Sequence, residues 1–158
     1  MLRPIRRLIG ATLKDHLDKV LNLYPPYLGA GVRLTEVGDD YRHIRVEMPL
    51  RWYNRNYVGT HFGGSLYSMC DPFYMLMLVK NLGPDYIVWD KAASIRFRKP
   101  GRGTVHAIFI LPEDRLQEIR RAADADGKTE PEFTAEVRDR HGDVVAELHK
   151  TIYVRRKA

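Results

Sequence analysis

Cysteine is almost absent from this chain of 158 residues, in which Cys70 is the only one. A single cysteine excludes a disulfide within the chain and a zinc site built from cysteines. We therefore expect a protein of a reducing compartment and predict a cytoplasmic location. Cys70 lies in an apolar segment, where a small buried side chain is the simplest interpretation and a reactive thiol is the alternative.

Several patterns that define other classes of protein are also missing. No apolar run reaches the roughly 20 residues that a membrane-spanning helix needs. The six histidines are scattered along the chain, so we expect no metal site, and no G-x-S-x-G elbow marks a nucleophilic serine. The composition, 44% hydrophobic and 29% charged without low-complexity tracts, is that of a globular protein. We predict one domain over residues 1–158.

Positive charge is in excess, with 26 Lys and Arg against 20 Asp and Glu and a net charge of +6. This balance favours an anionic partner, and nucleic acid, a membrane surface and a phosphorylated small molecule all qualify. The aromatic residues fall mainly on apolar faces, which argues against a stacking surface for bases. We therefore predict no nucleic-acid partner.

The first 26 residues have apolar side chains at helical spacing, from Leu2 to Tyr24, and Pro25-Pro26 ends the run. We predict an amphipathic N-terminal helix over residues 1–26. Its basic face would suit a membrane surface. The interpretation we favour is a helix packed on the domain with its basic face in solvent.

The rest of the chain alternates strand patterns with two helical segments. Two alternating stretches around Gly38-Asp39-Asp40 predict a β-hairpin, and two more around His141-Gly142-Asp143 predict a closing one. Residues 63–82 are apolar on every side, which indicates a buried helix, and residues 113–127 form a short amphipathic helix. With two further strands between the helices, the order predicts an α+β fold whose curved antiparallel sheet wraps round one central helix.

A motif stands at the start of that central helix. Asn56 lies seven residues before the pair Gly63-Gly64, and Asp71 lies eight residues after Gly63. Together with the element order and the basic stretch "SIRFRKPGRG", this motif resembles the hotdog-fold acyl-CoA thioesterase superfamily. The nearest likeness is to the phenylacetyl-CoA thioesterase-like branch and its less characterised members. That branch has a histidine directly before the glycine pair, where this sequence has Phe62 and places His61 one residue earlier.

The resemblance implies a hotdog fold and hydrolysis of an acyl-CoA thioester, with coenzyme A as part of the substrate and no separate cofactor. It implies a homodimer or homotetramer whose strands pair into one sheet and whose sites lie between subunits. By resemblance, Asp71 acts as nucleophile or as general base on water, and Asn56 orients the water or the thioester carbonyl. A turn asparagine is the alternative for Asn56.

Helical geometry adds a second line of argument for the same segment. Four residues share one helix face and would line one cleft: Gly64, Tyr67, Ser68 and Asp71. The first amides of the helix lack partners within it and would stabilise an oxyanion, with Gly63 and Gly64 allowing close approach. Tight packing of the glycines against a strand is the alternative, as is a structural Asp71 paired with an arginine. Pro72 is expected to kink the helix.

Substrate-binding residues are expected on both sides of this cleft. The basic group Arg96, Arg98, Lys99 and Arg102 surrounds Pro100-Gly101, beside the position where hotdog relatives hold the phosphates of coenzyme A; a solvated strand face is the alternative. His61 either contacts substrate or is a loop histidine bonded to backbone. Aromatic and methionine side chains would line the acyl site or form plain core: Trp52, Tyr53, Tyr57, Phe62, Met69, Phe73 and Met77.

Two other functions fit the same fold, because fold does not fix function. The first is a non-catalytic acyl-CoA or fatty-acyl binding protein, which the displaced histidine favours. The second is a dehydratase or hydratase, which needs a histidine paired with an acid. No such pair stands out in the sequence.

Overall fold

The computed structural model describes residues 17–157 and begins with two short helices, α1 (Leu17–Asn22) and α2 (Pro25–Ala30). The predicted helix over residues 1–26 is therefore tested only from residue 17, and its first part lies outside the described residues. Within the described residues the helix ends at Asn22, four residues before the predicted end at residue 26. Pro25 and Pro26 begin α2, because the first turn of a helix needs no amide hydrogen and suits proline's fixed φ.

One antiparallel sheet of seven strands forms the body of the domain. The strands are β1 (Arg33–Val37), β2 (His43–Met48), β3 (Tyr86–Phe97), β4 (Val105–Ile110), β5 (Lys128–Thr129), β6 (Glu132–Asp139) and β7 (Val144–Arg156). Their order is β1-β2-β4-β6-β7-β3, and the short β5 pairs with β7. β3 therefore lies at an edge of the sheet formed by the described residues.

Both predicted hairpins are present. β1 pairs with β2, where Leu34 lies opposite Val46, and β6 pairs with β7, where Ala135 lies opposite Leu148. Gly142 in the second turn has a φ of 86°, a left-handed value that glycine adopts without strain. The alternating patterns in the sequence thus placed these four strands correctly.

The pairing of β3 with β7 contains one irregularity. Asp90 lies opposite Ile152 and Ala92 lies opposite Thr151, so the register shifts between them. Lys91 is the extra residue of a β-bulge. Beyond the bulge the strands pair up to Phe97, which lies opposite Ala146.

The predicted central helix is present but interrupted. It consists of α3 (Gly63–Ser68) and α4 (Phe73–Leu82), separated by residues 69–72. The kink expected at Pro72 is thus a complete break, because proline has no amide hydrogen to continue the helical ladder. Burial is as predicted, since Met69, Phe73 and Met77 are 0% exposed; these three side chains are core.

α4 joins the helical layer to the sheet through aromatic side chains. The ring centroid of Phe73 lies 4.8 Å from that of Phe109 on β4, and Tyr74 stacks on Phe133 of β6 at 4.4 Å. The predicted short helix is α5 (Glu113–Asp126), ended by Gly127 with a φ of 73°. Among residues 17–157, no helix has both the length and the apolar character to cross a membrane.

Candidate active site

The loop over residues 49–62, which leads into α3, is held by a buried asparagine. Asn54 is 2% exposed, and its amide nitrogen donates to the carbonyls of Ala30 at 2.9 Å and Pro49 at 3.0 Å. Its side-chain oxygen accepts the amide of Arg51 at 2.7 Å. Asn54 thus fastens the loop to α2. The sequence analysis missed this residue, and the turn-rich composition of the loop was the only signal for it.

Asn56 shapes the second half of the same loop. Its nitrogen donates to Thr60 Oγ1 at 2.9 Å and to the carbonyl of His61 at 3.2 Å. Its oxygen accepts the amides of Val58 at 3.1 Å and Thr60 at 3.0 Å. These four bonds use the full capacity of an asparagine side chain. The geometry is that of a turn asparagine, and a direct role of Asn56 in catalysis stays a prediction.

His61 is buried where the loop meets the turn after β3. Its Nε2 lies 2.8 Å from the carbonyl oxygen of Gly103, and its amide donates to the carbonyl of Gly101 at 3.0 Å. Burial lowers the pKa of His61 and outweighs the opposing effect of the bond to Gly103. Its Nδ1 is buried without a hydrogen-bond partner among the described residues. His61 is therefore a neutral loop histidine with one ring nitrogen free.

The glycine pair begins α3, as predicted. A Cβ atom at Gly63 would lie 2.9 Å from Phe97 Cζ, so a larger residue there would displace the outer end of that ring. A Cβ atom at Gly64 would meet the ring of Phe62, whose side chain is 56% exposed. The amides of both glycines belong to the first turn, where a helix offers no acceptor. Since α3 has six residues, an oxyanion site here would depend on the amides more than on a helix dipole.

A cavity of about 450 Å³ opens beside the start of α3. Five residues predicted for the site line it: Asn56, His61, Gly63, Arg98 and Lys99. A volume of this size suits part of a small-molecule ligand. The structure therefore brings the loop, the first glycine and half of the basic group into one place.

The basic group is already partly paired within the chain. Arg98 Nε lies 3.0 Å from Glu147 Oε2, and Lys99 Nζ lies 2.6 Å from carboxylate oxygens of both Asp139 and Asp143. Arg96 and Arg102 are exposed. A bound phosphate would therefore compete with the chain's own carboxylates for Arg98 and Lys99. Phosphate binding by these four residues stays a prediction.

Asp71 does not line this cavity. It lies in the break between α3 and α4, where the hydroxyl of Tyr67 donates to its Oδ1 at 2.8 Å. Lys150 on β7 donates to the same Oδ1 at 3.0 Å and also to the main-chain carbonyl of Asp71. The ammonium of Lys150 lies 2.9 Å from Asp90 Oδ2 on β3 as well. Asp71 is thus a paired acid whose partner is a lysine rather than an arginine.

These groups differ sharply in exposure. The side chain of Lys150 is 0% exposed, that of Asp71 is 43% exposed and that of Asp90 is 26% exposed. Oδ1 of Asp71 is held by two donors, whereas Oδ2 has no partner among residues 17–157. One oxygen of Asp71 is therefore fixed, and the other is open to a water molecule or a substrate.

Burial controls the protonation of the groups around Asp71. It raises the pKa of Tyr67 to about 12, and the hydrogen bond to Asp71 acts in the same direction. It also raises the pKa of Cys70 to about 12. Burial raises the pKa of Asp90 against the opposing effect of Lys150. At neutral pH Tyr67 is therefore a hydrogen-bond donor, and Cys70 is an unreactive thiol.

Ser68, predicted on the same helix face, has its hydroxyl buried without a partner among the described residues.

Lys150 and Asp90 were not predicted for the site. A signal for Lys150 was present in the sequence, because it alternates in phase with Leu148 and Ile152 and therefore falls on the buried face of β7.

The architecture is the hotdog fold predicted from the sequence. A protein of unknown function from Pseudomonas aeruginosa, described as a probable thioesterase, superposes with a TM-score of 0.77 at 21% identity over 93% of this chain and 96% of its own. A thioesterase from Haemophilus influenzae gives 0.64 at 14% identity over 89% and 88% of the two chains. A protein of unknown function from Chlorobaculum tepidum gives 0.69 at 14% identity over 97% and 95%.

The sequence also defines a family. Residues 16–154 match the family described as Domain of unknown function (DUF4442), and the chain belongs to it. Comparison with curated proteins finds no match. This chain is thus a member of the DUF4442 family with a hotdog fold.

Proposed function

We propose that the protein is an acyl-CoA thioesterase in which Asp71 is the general base or the nucleophile. The observation that carries the proposal is the carboxylate of Asp71. Its Oδ1 is held by Tyr67 and Lys150, while the side chain keeps 43% of its surface exposed. A fixed carboxylate with one accessible oxygen suits proton abstraction or attack on a carbonyl carbon. The thioesterase descriptions of two superposed hotdog structures support this class of reaction.

In the general-base route, Asp71 Oδ2 accepts a proton from water as the water oxygen attacks the thioester carbonyl carbon. The carbonyl electrons move onto oxygen, where the amide of Gly64 is the proposed donor. When this oxyanion collapses, the carbon–sulfur bond breaks and the sulfur leaves with the electron pair. The thiolate then takes up the proton, which yields a carboxylic acid and free coenzyme A. In the nucleophilic route Asp71 Oδ2 attacks the carbonyl carbon, the carbon–sulfur bond breaks and the thiolate leaves. Water then cleaves the resulting anhydride to the carboxylic acid and the free aspartate, and the proton released goes to the thiolate.

Two copies of the chain are proposed to form each site. Asp71 and the cavity at Gly63 are separate within one chain, and β3 is a 12-residue edge strand with mostly exposed residues. An open edge of this length invites pairing, and a symmetric pair of β3 strands would cover it. A homodimer is then the minimum unit and a homotetramer the larger possibility. In such a pair the acid of one copy would complete the cavity of the other.

The substrate class follows from the surroundings of the cavity. Arg98 and Lys99 at its edge, with the exposed Arg96 and Arg102, would bind the phosphates of coenzyme A. The acyl group would contact the exposed aromatic residues of the 49–62 loop, of which Trp52 is 83% and Phe62 56% exposed. Coenzyme A enters as part of the substrate, and no separate cofactor is proposed.

The test is free-thiol release by the purified protein and its Asp71→Asn variant on short, medium, long and aromatic acyl-CoAs. We expect turnover by the wild type and a loss of roughly 10²–10⁴-fold in the variant. Asp39→Asn, at an exposed turn, is the matched control and should retain full activity. Because Asp71 is a partner of a buried ammonium, circular dichroism must show that the variant is folded.

A negative result would also be informative. If no acyl-CoA is hydrolysed and both proteins bind acyl-CoA tightly, the chain is a binding protein and Asp71 is a structural acid. If an enoyl-CoA gains water instead, the protein is a hydratase.

A further inference from the structure

Lys150 is an unusual residue for the middle of a sheet. Its side chain is 0% exposed, and a buried ammonium is costly unless it is paired and hydrogen-bonded. Three acceptors surround it: the main-chain carbonyl and Oδ1 of Asp71, and Oδ2 of Asp90. A buried ion pair is thus formed with Asp71, the residue to which the reaction proposed above is assigned.

The contacts of Lys150 fix both the backbone and the side chain of Asp71. Bonds to the carbonyl and to Oδ1 hold the residue at two points, and the hydroxyl of Tyr67 binds Oδ1 from α3. Rotation of the carboxylate that would exchange its two oxygens breaks both side-chain bonds. Oδ2 is therefore the oxygen that stays available.

Asp90 is bound to the same ammonium from the opposite side. Its Oδ2 lies 2.9 Å from Lys150 Nζ, while its Oδ1 is buried without a partner among the described residues. One cation is thus shared by two carboxylates. The electrostatic effect of Lys150 on Asp71 is therefore partly offset by the negative charge of Asp90.

Three other titratable groups near Asp71 are uncharged at neutral pH. They are Tyr27 on α2, Tyr67 on α3 and Cys70 beside Asp71, and burial raises the pKa of each. Among the described residues, Lys150 on β7 and Asp90 on β3 are then the charged groups in the cluster with Asp71. These two residues set its electrostatic environment.

We propose that Lys150 is a positioning residue of the site, which orients the carboxylate of Asp71 and places a positive charge beside it, and that Asp90 tempers this effect by sharing the ammonium. The role rests on the thioesterase function proposed above. It predicts shifts of the pH–activity profile in opposite directions for two variants. Lys150→Met removes a positive charge beside Asp71, and Asp90→Asn removes a negative charge.

The experiment is the pH dependence of kcat/KM for the wild type, Lys150→Met and Asp90→Asn, with an acyl-CoA that the wild type hydrolyses. In Lys150→Met we expect kcat to fall at least tenfold with little change in KM. The acid limb, which is the rise of kcat/KM on the acidic side of the pH profile, should move to higher pH by about one unit. In Asp90→Asn the acid limb should move to lower pH. Lys128→Met is the matched control, since Lys128 is an exposed residue of the short strand β5, and its profile should equal that of the wild type.

A merely structural lysine would give a different result. Activity would then fall only in proportion to the folded fraction, and the acid limb would stay in place in both variants; this outcome overturns the proposal. Lys150→Arg keeps the positive charge and should hold the acid limb at its wild-type position. If Lys150→Met does not fold, the direction of the shift in Asp90→Asn decides.

Thermal denaturation supplies a readout that is independent of turnover. The Tm losses of Lys150→Met and Asp71→Asn should not add in the double variant, because both remove the same ion pair. A wild type without turnover would overturn the thioesterase function, and this role with it. Turnover by the wild type together with additive Tm losses and an unmoved acid limb would overturn the role of Lys150 alone.

Discussion

The ring of Phe97, at the end of β3, lies directly over Gly63 at the first position of α3, so that a Cβ atom there would stand 2.9 Å from Phe97 Cζ. Any residue other than glycine must push the ring away. This contact joins the edge strand to the start of the central helix, beside the cavity proposed to bind substrate.

Alanine at two helical glycines should therefore have different effects. Gly29 in α2 has no atom within 4 Å of the position of a Cβ, so Gly29→Ala should raise the free energy of unfolding by up to about 1 kcal/mol. Gly63→Ala should raise it less, because the exposed ring of Phe97 has to move aside. Urea denaturation measures both, and adding Phe97→Leu to Gly63→Ala should recover part of the difference. Equal stabilisation by the two alanines would contradict the contact.

Tyr67→Phe should weaken the site without removing its acid. The variant lacks the hydroxyl that donates to Asp71 Oδ1, and a hydrogen bond to a charged group contributes about 1.5–3 kcal/mol. We expect kcat on an acyl-CoA to fall roughly tenfold with KM nearly unchanged. Tyr24→Phe, on a residue 49% exposed, is the control. An unchanged kcat in Tyr67→Phe would show that Lys150 alone suffices to hold Asp71.

Asp139 should contribute stability that depends on pH. The bond from Lys99 is the main reason that its pKa falls from 3.8 to about 2, with the amides of His141 and Asp143 acting in the same direction. Because the folded value lies below the unfolded one, the stabilisation is present above pH 4 and is lost as the pH falls toward 2. The difference in Tm between the wild type and Asp139→Asn should therefore shrink over that range. A constant difference from pH 7 to pH 2 would argue against an ionic contribution.

Cys70 should resist thiol reagents in the folded protein. It is 0% exposed, and burial raises its pKa to about 12, so almost no thiolate is present at pH 8. We expect Ellman's reagent to label one thiol per chain in urea and almost none under native conditions. Rapid labelling without urea would mean that the break between α3 and α4 opens readily.

Much of the fold could be predicted because strands such as β2, β6 and β7 carry their own alternating pattern. The hairpin around Gly142 and the helix over Glu113–Asp126 needed only local information. The break at residues 69–72 was predicted as a kink, since a proline removes an amide hydrogen but does not by itself show whether the helix resumes in line. In the structure the helix resumes at Phe73, after four residues that belong to neither helix.

The site was harder to predict for a different reason. The spacing of Gly64, Tyr67 and Asp71 predicted one shared helix face, and the structure adds a hydrogen bond from the tyrosine to the acid. The partner of Asp71 lies 79 residues further along the chain, and a lysine in a strand is normally taken as a solvent-facing residue. The spatial separation of Asp71 from the cavity depends on the tertiary arrangement, which no local pattern contains.

The bulge at Lys91 determines which charged side chain of β3 points into the interior. In a regular strand the residue opposite Ile152 would be Lys91, and its ammonium would point into the space next to Lys150. The extra residue moves Asp90 into that place and turns Lys91 outward to Glu130. Deleting Asp90 would therefore place Lys91 opposite Ile152 and replace an attraction to Lys150 by a repulsion, whereas deleting Lys91 would remove the bulge and leave Asp90 in its place.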